Sequence, residues 1–129
     1  VNAMILPGAG QRVARAEVGH AVQFETDERV RYFVEENPVL TRPDDTEITI
    51  TLPARASGAD IAAELIGATI ELSTCPADGS LVVLFDTGAV LSVPPSPDFE
   101  SWNVSAPGNV LVVSTPGGTI AAWNWPSLD

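Results

Sequence analysis

The strongest constraint on this chain is that its two halves resemble one another. Gly10 and Val13 match Gly67 and Ile70 at a spacing of 57 residues. Val22, Phe24, Glu25, Thr26, Val30 and Tyr32 match Val83, Phe85, Asp86, Thr87, Leu91 and Val93 at 61, and Pro43-Asp44 matches Pro107-Gly108 at 64. The step of four residues falls at Pro76–Gly79, turn-forming sequence of the kind that tolerates insertion. Period-two patterns resemble one another readily, so chance likeness between two hairpins is the competing reading.

Local patterning supports strands in both halves. Gln11 to Val18 carries a weak strand signal, Ala21 to Glu25 alternates apolar and polar residues, and Val30 to Val34 follows the turn at Thr26-Asp27-Glu28. Glu47 to Leu52 is the cleanest alternation, entered through Pro43-Asp44-Asp45. Thr69–Ser73, Leu81–Phe85, Val90–Val93, Trp102–Ser105, Val110–Ser114 and Thr119–Trp123 continue the series between Pro- and Gly-rich turns. One helix interrupts it: Ser57 is placed to cap residues 58–66, with Asp60 in the first turn, Ile61 and Leu65 on one face, and Gly67 as the stop.

The expected fold is therefore mainly β (α+β). Duplicated β-meander units, about 10–52 and 67–123, form a compact two-sheet or sandwich-like domain with one short helix between the halves. The domain covers 4–129, and Val1-Asn2-Ala3 before Met4 reads as a cloning remnant or an alternative start.

Charge narrows the function. The 17 acids and 6 bases give a net charge of −11, and every base is an arginine. Residues 56–129 hold eight acids (Asp60, Glu64, Glu71, Asp78, Asp86, Asp98, Glu100 and Asp129) and no base. Such a surface repels phosphate backbones and anionic lipid, so neither nucleic acid nor membrane is an expected partner. A cationic protein is favoured, because long-range fields speed its association. No apolar run approaches the ~18 residues of a membrane helix, and no secretory signal is seen, so a cytoplasmic location is expected.

Catalytic equipment is sparse. Cys75 precedes a proline and has only His20 as a possible imidazole partner, with no third orienting group in view. Glu35 and Glu36 point to opposite faces if extended, whereas Asp98 and Glu100 share a face and sit beside Phe99 and Trp102, which leaves a glycosidase-like pair open. No EF-hand register and no phosphate-binding loop appear, and neither cofactor nor metal is expected. Of Trp102, Trp123 and Trp125, the first two read as core and the last as exposed.

One further signal lies in the second half. Leu91-Ser92-Val93-Pro94-Pro95-Ser96-Pro97-Asp98-Phe99-Glu100-Ser101-Trp102, Pro116-Gly117-Gly118-Thr119-Ile120-Ala121-Ala122-Trp123, Asp78-Gly79-Ser80-Leu81 and Phe85-Asp86-Thr87-Gly88 belong together. With them the chain resembles a family of small proteins of unknown function common in high-GC actinobacteria. That resemblance covers most of residues 10–123 and implies a fold and a source class rather than an activity. Arginine without lysine agrees with a high-GC genome.

The expectation is a non-enzymatic, immunity-type binding protein. It would neutralise a cognate basic protein toxin by covering the active site, with Asp78, Asp86, Asp98 and Glu100 facing the partner. The alternative is a non-catalytic β-domain that self-associates, as a homodimer or larger homo-oligomer, through exposed strand edges.

Overall fold

The computed structural model describes residues 3–125. Val1 and Asn2 of the suspected remnant, and residues 126–129 at the end of the expected domain, lie outside the described residues. The described residues form twelve strands and one helix: β1 (Met4–Ile5), β2 (Val13–Val18), β3 (Val22–Thr26), β4 (Arg31–Val34), β5 (Val39–Thr41), β6 (Glu47–Thr49), α1 (Gly58–Leu65), β7 (Ile70–Cys75), β8 (Leu81–Phe85), β9 (Val90–Val93), β10 (Trp102–Ala106), β11 (Val110–Ser114) and β12 (Ile120–Trp123). They form two six-stranded antiparallel sheets. Sheet I has the order β1-β7-β8-β9-β5-β6 and sheet II the order β12-β11-β10-β4-β3-β2.

The duplicated units are real, and they exchange strands. Each sheet takes a three-stranded meander from one half, β2-β3-β4 or β7-β8-β9, and a hairpin from the other, β10-β11 or β5-β6. The joins are equivalent, with β10 pairing to β4 and β5 to β9. An approximate two-fold relation shows in reciprocal hydrogen bonds. Gly10 N–H donates to the Ile70 carbonyl at 2.7 Å, as Gly67 N–H does to Val13 at 2.8 Å. Val13 N–H donates to Ala68, as Ile70 N–H does to Gln11, each at 2.8 Å.

Register refines the spacing read from sequence. Val13 faces Thr26 and Ile70 faces Phe85, so β2 matches β7 at 57 but β3 matches β8 at 59 rather than 61. The insertion at Pro76–Gly79 is therefore two residues, not four. Leu40 and Val104 occupy equivalent positions beside Leu91 and Tyr32, which upholds the spacing of 64 for the second hairpin. Backbone strain repeats with the same offsets. Arg29 and Gly88 both have positive φ, at 67° and 94°, and so do Asp45 and Asn109, at 68° and 61°.

Alternation along the strands fills the space between the sheets. Val22, Phe24 and Thr26 of β3 and Leu81, Val83 and Phe85 of β8 point inward and are buried. Phe24 stacks on Tyr32 with ring centroids 4.4 Å apart, and Phe85 lies 6.1 Å from Phe24. The buried Tyr32 hydroxyl donates to the Pro7 carbonyl at 2.8 Å and meets Ser73 Oγ at 2.7 Å, so its polar end is satisfied.

Several local expectations are corrected. Helix α1 starts at Gly58, but Ser57 adopts α-helical angles and its side chain makes no capping bond. Instead Gly58 N–H donates to the Arg55 carbonyl at 3.1 Å, and the absent side chain at Gly58 lets the helix abut the Val18 carbonyl of β2. Ile61 and Leu65 insert into the core as their spacing implied. Strands β1 and β5 are additions to the sequence reading, and β6 stops at Thr49 rather than running to Leu52. Trp102 is fully buried, but Trp123 is 53% exposed, because β12 is an edge strand that carries its side chain outward. Trp125 packs partly against the core and its indole N–H donates to the Ile5 carbonyl at 2.7 Å.

Candidate functional site

Three of the four segments that carry the family resemblance meet at one end of the sandwich, and Phe85-Asp86-Thr87-Gly88 lies at the other end of β8. The Gly79 carbonyl, in the β7–β8 turn, accepts Trp102 Nε1–H and Ser114 Oγ–H, each at 3.0 Å. Gly117 N–H, in the β11–β12 turn, donates to the Ser96 carbonyl at 2.8 Å. Ser96 Oγ accepts the N–H groups of Asp98 and Phe99 at 3.2 and 3.4 Å. Ser101 Oγ donates to the Pro94 carbonyl, and Ser101 N–H to the Ser114 carbonyl.

The two turns touch through backbone alone. A Cβ on Gly79 would lie 2.2 Å from the Gly118 carbonyl oxygen, and one on Gly118 would lie 2.6 Å from that of Asp78. Glycine is required at both for that approach. Between β9 and β10 the equivalence steps from 59 to 64, so this crossover is five residues longer than the one between β4 and β5. The motif is thus the scaffold of one pole, built around an inserted loop.

Three of the four expected partner-facing acids sit at this pole. Asp78 is exposed and its Oδ1 accepts Ser80 N–H at 2.9 Å and Ser80 Oγ–H at 2.6 Å. The Ser80 hydroxyl, then its N–H, hold that carboxyl below the usual aspartate range. Asp98 and Glu100 are exposed on the inserted loop, on either side of Phe99, itself 41% exposed. Pro97 to Phe99 form a bend rather than extended chain, so the shared strand face on which an acid–base pair depended is absent.

Asp86 is elsewhere. It follows Phe85, at the far end of β8 from Asp78, about 17 Å away for five extended residues. Its Oδ1 accepts Thr69 N–H at 2.9 Å while its own N–H donates to the Thr69 carbonyl at 2.8 Å. Asp27 makes the same two contacts with Arg12, at 3.3 and 2.8 Å. The repeat therefore explains Asp86 as a clamp on the start of β7.

Sequence reading missed a charged row on the outer face of sheet II. Arg15, Glu25 and Arg31 are directly opposite one another on β2, β3 and β4. Glu25 Oε1 accepts Arg31 Nη2–H at 2.9 Å and Oε2 pairs with Arg15, leaving the carboxylate nearly covered and both guanidiniums exposed. The signal was available as residues at matching distances from the two turns. Arg42 pairs in a bidentate way with Glu64 of α1, at 2.9 and 3.0 Å.

The remaining candidates have structural explanations. The Cys75 thiol is buried, and burial followed by the nearby Asp78 charge pushes it up to about 11, away from the thiolate that nucleophilic chemistry uses. His20 is exposed in the tight β2–β3 turn. Among the described residues no group of three or more His, Cys, Asp or Glu is placed to hold a metal ion, and no helix is long and apolar enough to cross a membrane.

No curated protein and no solved structure matches the chain. Residues 4–124, nearly the whole length, match one protein family. The chain belongs to DUF6188, a family of unknown function.

Proposed function

We propose that this chain is a non-catalytic, immunity-type binding protein that covers the active site of a cognate basic protein toxin with its acidic pole. The observation that carries this reading is uncompensated charge. Asp78, Asp98 and Glu100 project from one rigid cluster of turns, and among the described residues none of them pairs with an arginine. A rigid, single-sign surface favours fast docking of an opposite charge with little ordering cost. Asp86, held by Thr69 at the other end, serves the fold in this reading more than the interface. The short acidic chain and its arginine-only base content fit a cytoplasmic protein of a high-GC actinobacterium. In the same reading the Val-Pro-Pro to Trp segment and the Pro-Gly-Gly turn are the family motif that builds the pole.

The test is affinity capture from lysate of the source organism, with wild type and with a triple variant Asp78→Lys, Asp98→Lys, Glu100→Lys, at about 0.05 M and about 0.5 M salt. One basic protein retained at low salt, released at high salt and lost by the variant is the expected result, followed by inhibition of that protein's activity on mixing. Equal retention by wild type and variant overturns the reading. A second reading, self-association without a toxin, is favoured by the outer face of sheet I.

A further inference from the structure

The two-fold repeat supplies an internal comparison of two outer faces. On sheet II, Arg15, Gln23, Glu25 and Arg31 point outward. The equivalent positions on sheet I, by the 57 and 59 spacings, are Leu72, Val82, Leu84 and Val90. Burial alternates along β8 and β9 so that Val82, Leu84 and Val90 face away from the core, and Leu72 is 38% exposed. Ile5 on β1 and Val39 on β5 extend the same surface across neighbouring strands. The same meander backbone thus presents a charged row on sheet II and, on sheet I, Leu72, Val82, Leu84 and Val90 interleaved with the hydroxyl side chains of Thr74, Ser92 and Thr41.

We infer that the outer face of sheet I is a homodimer interface, packing sheet to sheet against the same face of a second copy. Charge selects the occupant. The centre of the face has no carboxylate to pair with a cation, so a basic surface laid on it would lose hydration without return. A second copy brings the same aliphatic and hydroxyl side chains against one another with no charge at the centre, and the self-complementary two-fold arrangement is the commonest one for soluble oligomers. Glu47 and Glu71 lie toward its margins, on β6 and at the β7 bulge.

Size sets the strength. Six strands at about 4.8 Å spacing and about 15 Å long give a face of roughly 400 Å², so two copies bury on the order of 800 Å². That belongs to the weak, reversible class of interface rather than the permanent one. Each copy carries −11, so the dimer forms against long-range repulsion that salt screens. Added salt therefore strengthens this contact, the opposite of its effect on the acidic pole, and the two surfaces fail or succeed independently.

The experiment is sedimentation equilibrium of the full chain over a hundredfold concentration range at about 0.02 M and about 0.5 M salt. The mass is expected to rise from 13.5 kDa toward twice that value with a micromolar Kd, several-fold tighter at high salt. Leu84→Glu is expected to raise the Kd more than about tenfold, because the two-fold buries it twice. Gln23→Glu, on the other sheet, is expected to leave it unchanged. Circular dichroism checks that Leu84→Glu keeps the fold; should it not, Val90→Lys is the second variant with the same expectation. A monomer at every concentration and salt, or a dimer indifferent to these substitutions, overturns the inference, including where the face proves to hold a different protein instead.

Discussion

Trp102 and Ser114 donate to one acceptor, the buried Gly79 carbonyl, and that shared acceptor makes their removal non-additive. Trp102→Phe deletes one hydrogen bond, worth about 1 kcal/mol while Ser114 still satisfies the carbonyl. The smaller ring also leaves a void of roughly 40 Å³, which at about 24 cal/mol per Å³ adds about 1 kcal/mol. Ser114→Ala costs about 1 kcal/mol by the same reasoning. The sum is about 3 kcal/mol. With both donors gone, the carbonyl is buried without a partner, a further cost of about 1–2 kcal/mol. The double variant is therefore expected near 4–5 kcal/mol below wild type. Urea unfolding followed by far-UV circular dichroism measures this without relying on tryptophan emission. For a domain of this length each kcal/mol also lowers Tm by about 4 °C. Simple additivity, or a double variant less destabilised than the sum, would refute the claim that this carbonyl is the pivot of the pole.

Two further outcomes follow from the same geometry. Gly79→Ala and Gly108→Ala impose the same backbone strain, with φ of 89° and 88°, but only the first meets a neighbour, at 2.2 Å. Thermal melts should show Gly108→Ala costing about 1 kcal/mol and Gly79→Ala at least twice that. The hydrogen bond from Arg31, reinforced by Arg15 and opposed by burial, holds the Glu25 carboxyl below its ordinary value of 4.5. A depressed folded-state value means the stabilisation is present above the unfolded value and is lost as pH falls through the folded one. Unfolding midpoints should accordingly drop more steeply for wild type than for Glu25→Gln between about pH 5 and 3, and parallel slopes would contradict the ion-pair assignment.

Much of the fold was legible because alternation declares which face of a strand is buried. Val22-Gln23-Phe24 and Leu81-Val82-Val83 announced themselves in that way, as did the turns at Asp27 and Asp86. Partnership was not legible. Side chains alternate every two residues, so matching Phe24 to Phe85 rather than to Val83 preserves every inward position while misplacing the register by two. Strand β5 escaped notice because Val39–Thr41 is three residues long between prolines 38 and 43, and its strand character comes from pairing with β9. The acids at the pole were visible as charges, but the placing of Asp86 was not. Its engagement with Thr69 depends on a two-fold contact between residues far apart in the chain. Trp123 was misjudged because its place on an edge strand decides its exposure, and Trp125 because its contact with Ile5 joins residues at opposite ends of the chain.

The exchange of hairpins between the sheets also governs how the chain is made. Synthesis runs from the amino terminus, and the outer edge of β4 waits for β10, near residue 102, while the β5-β6 hairpin waits for β9, near residue 90. Until residue 102 has left the ribosome, the first half holds unmet strand edges and half a hydrophobic layer. Pairings over such separations close slowly, since loop entropy is lost before the contact repays it. Commitment to the native state therefore comes late and all at once, and a nascent chain stalled before β9 has no complete sheet to shelter in.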